Sequence, residues 1–423
     1  MIHQPRPQNT QRGVRPGRPV ARTTNGTEHQ ASLASRLTDR DRWIVHMLHE
    51  HRVLTADHIT TLAFPSYRSG RQRLRELYQW SVLDRFQPLL AQGAAPMHYV
   101  LGPAGATVLA AEYGIDSKDF GYRRDRVNGI AHNQRLAHTV GVSEWFTALI
   151  DHAVHSEDTE VSAWWSEARC ARHFGDLTRP DAYGRWRHHR QHLEFFLEYD
   201  TGTERPAMRL AAKLHGYAQL AASTGILTPL LVWMPTSRRE TRARPALHDA
   251  WRALDDPRLV PIATAAADLL DPDSEHPSPA EPAWLPLDPA ATRGGRRDFT
   301  ALALTWPYDP PATPTSATTG AAASAAIAPA PPVPASGAIA VPAPDPMPPI
   351  PTYSRPARRS PWASNSVSRP SPSSSSSPCS SARSAKDSST SSSARARTHP
   401  PSRSAASAPP VRRTTSTGTA ASR

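Results

Sequence analysis

The stretch HLEFFLEYDTGTERPAMRLAAKLHGYAQL, residues 192–220, joins an apolar segment to two acids, a turn and an amphipathic run. Side chains alternate along a β-strand, so Glu198 and Asp200 point to the same face. Two carboxylates about 7 Å apart repel each other unless a cation lies near them. The run that follows carries Lys213 and Tyr217 four residues apart, which places both on one face of a helix. We therefore predict that a helix packed over the strand brings Lys213 to the acids.

A third acid is expected beside these two. Asp181 lies in the preceding candidate strand, RPDAYGR, and a hairpin between the two strands would bring it next to Glu198. A cluster of carboxylate oxygens is the environment that Mg²⁺ prefers. Asp181 and Glu198 are therefore predicted to hold Mg²⁺ if the site is active, with Lys213 stabilising the charge of an attacked phosphate. The candidate catalytic residues are Asp181, Glu198, Asp200, Lys213 and Tyr217.

These acids also allow a structural interpretation, in which they form an ion network on the protein surface. Such a network would pair Glu198, Asp200 and Glu204 with Arg205, Arg209 and Lys213. Exposed ion pairs of this kind contribute little to stability. Under that interpretation the segment folds but has no chemical role.

The segment RWRHHRQH between the two candidate strands is strongly basic. Because it connects the strands that carry the acids, Arg187 and Arg190 are predicted to contact phosphate. Its histidines, with Cys170 and His173, also offer zinc ligands, although a zinc site needs four ligands in a suitable geometry. The chain has two cysteines, Cys170 and Cys379, which are too few for a disulfide framework.

Strands and helices alternate on both sides of this region. The candidate strands are TEVSAWWS, RPDAYGR, HLEFFLEYDTG, TPLLVWMP and RLVPIATAAADLL. Helical patterns occupy about 128–150, 204–222 and 243–254. This alternation around a mixed sheet predicts an α/β domain over residues 125–305.

Residues 36–115 form a second predicted unit. Helix start signals occur at Thr38, Thr55 and Ser66, and Pro65 ends the second helix. The stretches SVLDRF and MHYVL follow as two strands joined by a small, flexible loop. Three helices and a hairpin in this order predict an α+β winged helix-turn-helix domain. The spacing of its third helix turns inward Tyr67, Gly70, Leu74, Leu77 and Tyr78.

The outward side of the third helix carries arginine and glutamine. A helix of this kind can lie in the major groove of DNA, where Arg reads guanine and Gln reads adenine. The predicted nucleic-acid contacts on this helix are Arg68, Arg71, Gln72 and Arg75. Two alternatives are an ordinary solvated surface, in which Glu76 pairs one of the arginines, and a surface that binds protein.

Both ends of the chain are predicted to be disordered, as a basic arm over 1–35 and a Pro/Ala/Ser/Arg-rich tail over 306–423. They account for all of the net charge of +12, since residues 1–30 carry five Arg and one Glu and residues 311–423 carry twelve Lys or Arg and two Asp. Such tails bind polyanions without sequence preference. No secretory signal and no uninterrupted apolar span is visible, so we expect a soluble, cytoplasmic protein without membrane contact.

The acidic constellation resembles the PD-(D/E)xK nuclease superfamily. Asp181 follows a proline, as the first acid of that motif does, and Glu198 matches the acid at a strand end. The lysine of the motif is replaced by Asp200. Lys213 is a candidate for a migrated lysine, and the KxxxY run that it begins is similar to a helix motif in one branch of the superfamily. The resemblance implies a restriction-endonuclease-like domain that either cleaves DNA with Mg²⁺ or has lost that activity and binds DNA.

The span 37–305 also resembles the replication-relaxation family of actinobacterial plasmids and integrative elements. The most specific piece is the EYDTGTE run followed by KLHGY. The resemblance implies a winged helix fused to a nuclease-like domain, acting on double-stranded DNA in replication, relaxation or transfer. A non-catalytic alternative is a DNA-binding adaptor or regulator that recruits a relaxase or a replication initiator protein.

Overall fold

The computed structural model describes residues 22–90, 93–202, 206–274 and 276–307. The helices within this range are α1 (Thr27–Arg36), α2 (Asp39–His51), α3 (Ala56–Ala63), α4 (Tyr67–Gln79), α5 (Pro103–Glu112), α6 (Arg124–Gly129), α7 (Leu136–His155), α8 (Glu167–Phe174), α9 (Pro206–Thr224), α10 (Ser237–Arg252), α11 (Pro289–Thr292) and α12 (Phe299–Thr305). The strands are β1 (Leu54–Thr55), β2 (Leu83–Phe86), β3 (His98–Leu101), β4 (Thr159–Ser166), β5 (Ala182–His188), β6 (Gln191–Tyr199), β7 (Leu230–Met234), β8 (Ile262–Ala266) and β9 (Leu285–Pro286). Most of the two predicted tails, 1–21 and 308–423, lies outside the described residues.

Helices α2, α3 and α4 begin where the sequence predicts. Thr38 and Thr55 cap α2 and α3 through capping boxes, in which the cap side chain and the third helical residue satisfy each other's backbone N–H groups. Ser66 caps α4 by accepting a hydrogen bond from the backbone of Ser69. Strands β2 and β3 follow and pair antiparallel, and β1 pairs with the other edge of β3. The result is a three-helix unit with a small antiparallel sheet.

The last part of the predicted N-terminal arm is folded, so the prediction of disorder is wrong for residues 22–35. Helix α1 occupies most of this part, and Leu33 is fully buried in the core. The Arg22 guanidinium donates hydrogen bonds to the Asp84 carboxylate at 3.2 Å and to the Leu83 carbonyl at 3.1 Å. One buried leucine and these long-range contacts outweigh the polar composition on which the prediction of disorder rested.

A six-stranded mixed sheet organises the second half of the described chain, in the order β4-β5-β6-β7-β8-β9. Strands β6, β7 and β8 run parallel, and the remaining pairs are antiparallel. The hairpin between β5 and β6 forms as predicted, with Ala182 opposite Leu197 at one end and His188 opposite Gln191 at the other. The fold of this part therefore agrees with the expected mixed sheet flanked by helices.

Helices cover both faces of this sheet, so its strands are buried on both sides. Helices α7 and α12 pack on one face, while α8, α9 and α10 pack on the other. Strand β6 alternates between the two cores, since Phe195 and Leu197 belong to the first and Phe196 to the second. The same alternation turns Glu198 toward the face that carries α9.

Helix α7 begins later than the predicted start near residue 128. Helix α6 and a short 3-10 turn precede it, and the Asn133 side chain accepts a hydrogen bond from the Arg135 backbone at 2.8 Å. Such a local side-chain bond competes with a continuous helix. From Leu136 onward the apolar residues pack in the core as expected.

The core continues from the three-helix unit into the mixed sheet. Helix α7 packs against both α3 and the sheet, and the buried His58 of α3 contacts the Glu144 carboxylate of α7 at 2.7 Å. Among the described helices, none combines the length and the apolar character that a bilayer crossing requires.

Candidate functional site

Strand β6 and helix α9 bring a lysine and a tyrosine onto one carboxylate. The Lys213 ammonium donates to both oxygens of Glu198, at 2.6 and 2.7 Å, and also to the Arg179 carbonyl at 3.0 Å. The Tyr217 hydroxyl donates to Glu198 Oε1 at 2.6 Å. The predicted approach of Lys213 and Tyr217 to the acid is therefore observed.

Asp181 lies at the start of β5, beside the end of β6, and has a different set of partners. Its Oδ2 accepts from His138 Nε2 of α7 at 3.0 Å and from the Tyr199 backbone N–H at 2.9 Å. We call Asp181, Glu198, Lys213, Tyr217 and His138 the carboxylate cluster. Both of its acids are almost fully removed from solvent. Glu198 pairs with Lys213, as the ion-network interpretation expects, but in a buried position rather than on the surface.

The pKa values of the two acids move in opposite directions. Burial, and next the charge of Asp181, raise the pKa of Glu198 to about 7 against the opposing effect of Lys213 and Tyr217. Burial also raises the pKa of Asp181, but the combined effect of His138, Lys213 and the Tyr199 backbone is larger and leaves it below its usual value. Burial lowers the pKa of His138, and the Asp181 carboxylate outweighs this and raises it overall. Asp181 is thus the more acidic of the two carboxyl groups, and it is hydrogen-bonded to His138.

Asp200 lies two residues after Glu198 and is engaged by a different cation. Arg239, in the first turn of α10, donates to both of its carboxylate oxygens, and its Nη2 lies 3.0 Å from Oδ1. The Asp200 side chain also accepts from the Gly202 backbone at 2.9 Å. The structure therefore places Asp200 in a separate ion pair that ties the end of β6 to α10. Glu204 and Arg205 lie outside the described residues, as does the side chain of Arg209.

Two glycines allow the helices on either face to approach the cluster closely. A Cβ at Gly216 of α9 would lie 2.1 Å from the Leu177 carbonyl oxygen, and one at Gly141 of α7 would lie 2.6 Å from the Tyr199 ring. Each glycine stands three residues after a cluster side chain, Lys213 on α9 and His138 on α7. The two close approaches set the distance of these side chains from the sheet.

The donor set of the cluster fits Mg²⁺ poorly in this arrangement. Described donors occupy three of the four carboxylate oxygens of Asp181 and Glu198. Mg²⁺ requires near-octahedral oxygen coordination, usually with one or two carboxylates available to it. The Lys213 ammonium already supplies the positive charge that two adjacent carboxylates need.

The outward face of α4 forms one wall of a groove, and the β2–β3 hairpin forms the other. We call it the α4 groove; its charged and amide side chains are Arg68, Arg71, Gln72, Arg75, Gln79, Arg85 and Gln87, with Asp57 and Glu76. Arg68, Arg71 and Arg75 are exposed and have no acidic partner among the described residues. The groove therefore presents positive charge to solvent, along the side of the helix that the spacing predicts.

The remaining arginine of α4, Arg73, points the other way. Its guanidinium donates to Asp41 at 2.6 Å and to Glu76 at 2.8 Å, and it lies over the Trp80 ring. Glu76 thus pairs one arginine, as the solvated-surface alternative expects, but that arginine is the inward one. The predicted burial of Tyr67 is wrong, since its side chain is 41% exposed and lines the groove.

The structure separates Arg187 and Arg190 from the acids. The hairpin turn lies at the opposite end of β5 and β6, and six residues of strand separate Asp181 from Arg187 by about 20 Å. Arg187 donates to Glu160 at 2.8 Å. The turn residues lie at one end of the hairpin, whereas Asp181 and Glu198 lie at the other end. Arg187 is therefore far from Asp181 in space although the two are close in the sequence.

The zinc ligands suggested by the sequence are not brought together in the described residues. Cys170 is fully buried in the core, where desolvation raises the pKa of its thiol. A different group, Asp151, His155 and His276, has potential ligand atoms within 4.8 Å of one another. The rings of His155 and His276 stack at 3.9 Å with 14° between their planes. Nitrogen lone pairs in two parallel stacked rings do not converge on one ion, so this group does not form a ready metal site.

Sequence reasoning missed His138 as a cluster residue. It lies on a helix 43 positions before Asp181, and no local motif marks it. The available signal was Gly141, because a glycine inside a buried apolar helix indicates close packing against a neighbouring element.

The fold and the two sites define an α+β protein with mixed and antiparallel sheets, a basic groove and a buried carboxylate cluster. Residues 45–231 match the model of a family described as replication-relaxation. This segment contains both the α4 groove and the carboxylate cluster, and the resemblance to the replication-relaxation family seen in the sequence is confirmed over this range. Comparison with curated proteins and with solved structures gives no significant match.

Proposed function

We propose that this protein binds double-stranded DNA through the α4 groove and acts without cleaving it, in the replication or relaxation of a plasmid or integrative element. The observation that carries the proposal is the row Arg68, Arg71 and Arg75, exposed along one helix without acidic partners among the described residues. Arginines free of internal pairs can neutralise phosphates or donate two hydrogen bonds to a guanine edge.

The arrangement around α4 supports a winged helix as the DNA-binding element. Helices α2 to α4 are followed by the β2–β3 hairpin, and α4 exposes the polar face that a recognition helix would place in the major groove. Gln72 stands between Arg71 and Arg75 on the outward face and can read adenine. Arg85 of β2 extends the positive charge to the opposite wall of the groove.

The second part of the proposal is a nuclease-like domain that holds DNA or a partner protein. Its antiparallel β5–β6 hairpin, parallel β6–β8 and flanking helices support a restriction-endonuclease-like fold. Lys213 holds Glu198 in an internal ion pair, which favours a structural role for the cluster over a catalytic one. Such a protein would act as an adaptor or regulator that recruits a relaxase or a replication initiator protein.

The test uses the full-length chain with Arg68, Arg71 and Arg75 all changed to Gln. A matched control changes three other exposed arginines, Arg172, Arg238 and Arg252, and so removes the same charge. Each good arginine contact is worth about 1–3 kcal/mol, so we expect affinity for duplex DNA to fall by about 100-fold or more in the groove variant alone. Equal losses in both triple variants, measured by fluorescence anisotropy, would show that binding depends only on net charge.

A second candidate function, Mg²⁺-dependent nicking of DNA, rests on the meeting of Asp181, Glu198 and Lys213 at one sheet edge. In that case Mg²⁺ would supply charge stabilisation at the attacked phosphate, which requires Lys213 to release Glu198. Supercoiled plasmid incubated with Mg²⁺, Mn²⁺ or EDTA distinguishes the two proposals. Metal-dependent nicking that is lost in both Glu198→Ala and Lys213→Ala would establish the enzyme, whereas retention of intact plasmid supports the adaptor.

A further inference from the structure

The first described residue, Arg22, lies beside one end of the α4 groove. Its guanidinium is 4.5 Å from the centre of the Tyr78 ring, near the C-terminal end of α4. The Thr23 backbone N–H donates to the carbonyl of Gln79 at 2.8 Å, and Gln79 lines the groove. Residues 1–21 therefore join the folded unit at the rim of the groove.

Positive charge continues from the groove to this point. The charged side chains around it are Arg22, Arg36, Arg85, Arg123 and Arg124, with the acids Glu28, Asp84 and Asp125. Arg22 and Arg124 share the carboxylate of Asp84, at 3.2 and 3.5 Å, so one acid faces two cations. Asp125 is paired with Arg123 at 3.0 Å. A duplex in the groove would meet a net positive surface here, which suits its phosphates.

The segment that immediately precedes Arg22 combines arginine with proline and small residues. Residues 15–21 read RPGRPVA and lie outside the described residues. Arg15 and Arg18 are separated by proline and glycine, and another proline follows. The minor groove of B-DNA is about 6 Å wide, so it admits a chain without bulky side chains more easily than a helix. In this segment the arginines are the only side chains that carry hydrogen-bond donors.

The base edges in the minor groove favour these arginines at A·T pairs. An A·T pair presents only acceptors there, whereas a G·C pair adds the amino group of guanine, which is a donor. Arginine has donors and no acceptor, so this amino group opposes it. Runs of A·T pairs also have a narrow minor groove whose negative potential attracts arginine. Arg15 and Arg18 therefore suit an A·T-rich minor groove better than a G·C-rich one.

A minor groove next to the bound major groove is within reach of both arginines. Arg18 and Arg15 precede Arg22 by four and seven residues, which corresponds to at most about 14 and 25 Å of chain. Along a duplex, the minor groove lies about half a helical turn, or roughly 17 Å, from the major groove in which a recognition helix sits. Other DNA-binding proteins place a basic arm in the minor groove next to their recognition helix. One duplex can therefore meet α4 and this segment at the same time.

We propose that residues 15–19, Arg-Pro-Gly-Arg-Pro, bind the minor groove of an A·T-rich segment of DNA that flanks the segment held in the α4 groove. Arg15 and Arg18 donate to the base acceptors on the floor of that minor groove. The proposal rests on duplex binding by the α4 groove and adds a preference for base composition to it. It also narrows the non-specific binding expected of the basic arm, because the composition of the flanking DNA then contributes to where the protein binds.

The test uses fluorescence anisotropy with the full-length chain and two duplexes of about three helical turns. One duplex consists of G·C pairs, and the other has the same sequence with inosine in place of each guanine. Inosine lacks the amino group that guanine presents in the minor groove and keeps the major-groove edge that α4 would read. We expect the unmodified protein to bind the inosine duplex at least about tenfold more tightly than the guanine duplex.

Two double variants show whether this preference belongs to the proposed segment. Arg15→Gln with Arg18→Gln should bind both duplexes equally. Arg6→Gln with Arg12→Gln removes the same charge from residues 1–21 and should keep the preference for the inosine duplex. Equal binding of the two duplexes by the unmodified protein, or loss of the preference in both double variants, would overturn the proposal.

Two further measurements separate this proposal from the role of the α4 groove. The triple variant of Arg68, Arg71 and Arg75 should bind both duplexes more weakly and keep the ratio of the two affinities. Unchanged affinity in that variant would overturn duplex binding by the groove, and with it the flanking position, but not the minor-groove contact. At saturation we expect at most one duplex per chain. A second duplex that is lost when Arg15 and Arg18 are changed would place the segment and the groove on separate duplexes, which also overturns the flanking position.

Discussion

The α4 groove and the carboxylate cluster both contain several charged side chains, but these differ in exposure and in pairing. In the groove, Arg68, Arg71 and Arg75 are exposed and have no acidic partners among the described residues. In the cluster, Lys213 forms an ion pair with Glu198, and His138 forms a hydrogen bond with Asp181. A buried charge that loses its partner destabilises the protein, whereas unpaired charges at the surface are available to a ligand. The comparison therefore supports the proposal that the groove binds DNA and that the cluster has a structural role.

The largest expected effect on the free energy of unfolding comes from Lys213→Met, which leaves Glu198 buried without its cation. Breaking a buried pair in this way typically costs about 3–5 kcal/mol. We expect a loss of this size in urea unfolding at pH 8. Lys118→Met, at an exposed lysine, is the matched control and should change stability little. Equal effects of the two substitutions would mean that the pair is not structural.

The pH dependence of stability tests the raised pKa of Glu198. The pKa is about 7 in the folded protein against 4.5 ordinarily, so the protonated form is favoured by folding. The stabilisation from this group is fully present below pH 4.5 and is lost as the pH rises through 7. Relative to Glu198→Gln, the unmodified protein should therefore lose up to about 3 kcal/mol between pH 4.5 and 8. A constant difference between the two proteins across this range would exclude the raised pKa.

The response to Mg²⁺ tests whether Lys213 replaces a metal. The unmodified protein should unfold at the same temperature with or without Mg²⁺. Lys213→Met frees the oxygens of Glu198, and Mg²⁺ at ten times its dissociation constant would then stabilise the folded state by about 1.4 kcal/mol. Adding Asp181→Asn to Lys213→Met should remove this effect. Stabilisation of the unmodified protein by Mg²⁺ would instead favour the nuclease.

The smallest expected effect on stability belongs to the groove. Arg75→Gln removes a charge without an internal partner, so the free energy of unfolding should change by less than about 0.5 kcal/mol. Affinity for duplex DNA should nevertheless fall, and the slope of its logarithm against that of the salt concentration should decrease by about 1 if Arg75 contacts a phosphate. Loss of stability without loss of affinity would reverse the roles of the groove and the cluster.

The parts of the fold that were predictable have local signals. The caps Thr38, Thr55 and Ser66 mark three helices, because a cap is a contact between residues three positions apart. The hairpin of β5 and β6 and the exit of β6 toward α9 follow from alternation and turns. Helix α1 was missed because its polar composition hides one fully buried leucine, Leu33, whose partners lie elsewhere in the chain.

The candidate site was predictable where it depends on one strand and one helix that follow each other. Glu198, Lys213 and Tyr217 meet because strand alternation and the helical turn place them on facing surfaces. His138 and Arg239 could not be found in this way, since each reaches its acid from a separate helix. As a result, Asp181 joins the cluster through His138, whereas Asp200 forms a separate ion pair with Arg239.

The sequence by itself determined which residues carry charge, which helix face is basic and which acids stand at the exit of β6, since these depend on spacing along the chain. The tertiary structure alone decided how those charges are used. Helices α7 and α9 pack closely against the sheet at Gly141 and Gly216. This packing brings His138 to Asp181 and Lys213 to Glu198. No comparable acid meets Arg68, Arg71 and Arg75 among the described residues, because neighbouring elements leave that face of α4 open. Whether a charge is paired or free depends on which elements pack together, and that is a property of the three-dimensional arrangement.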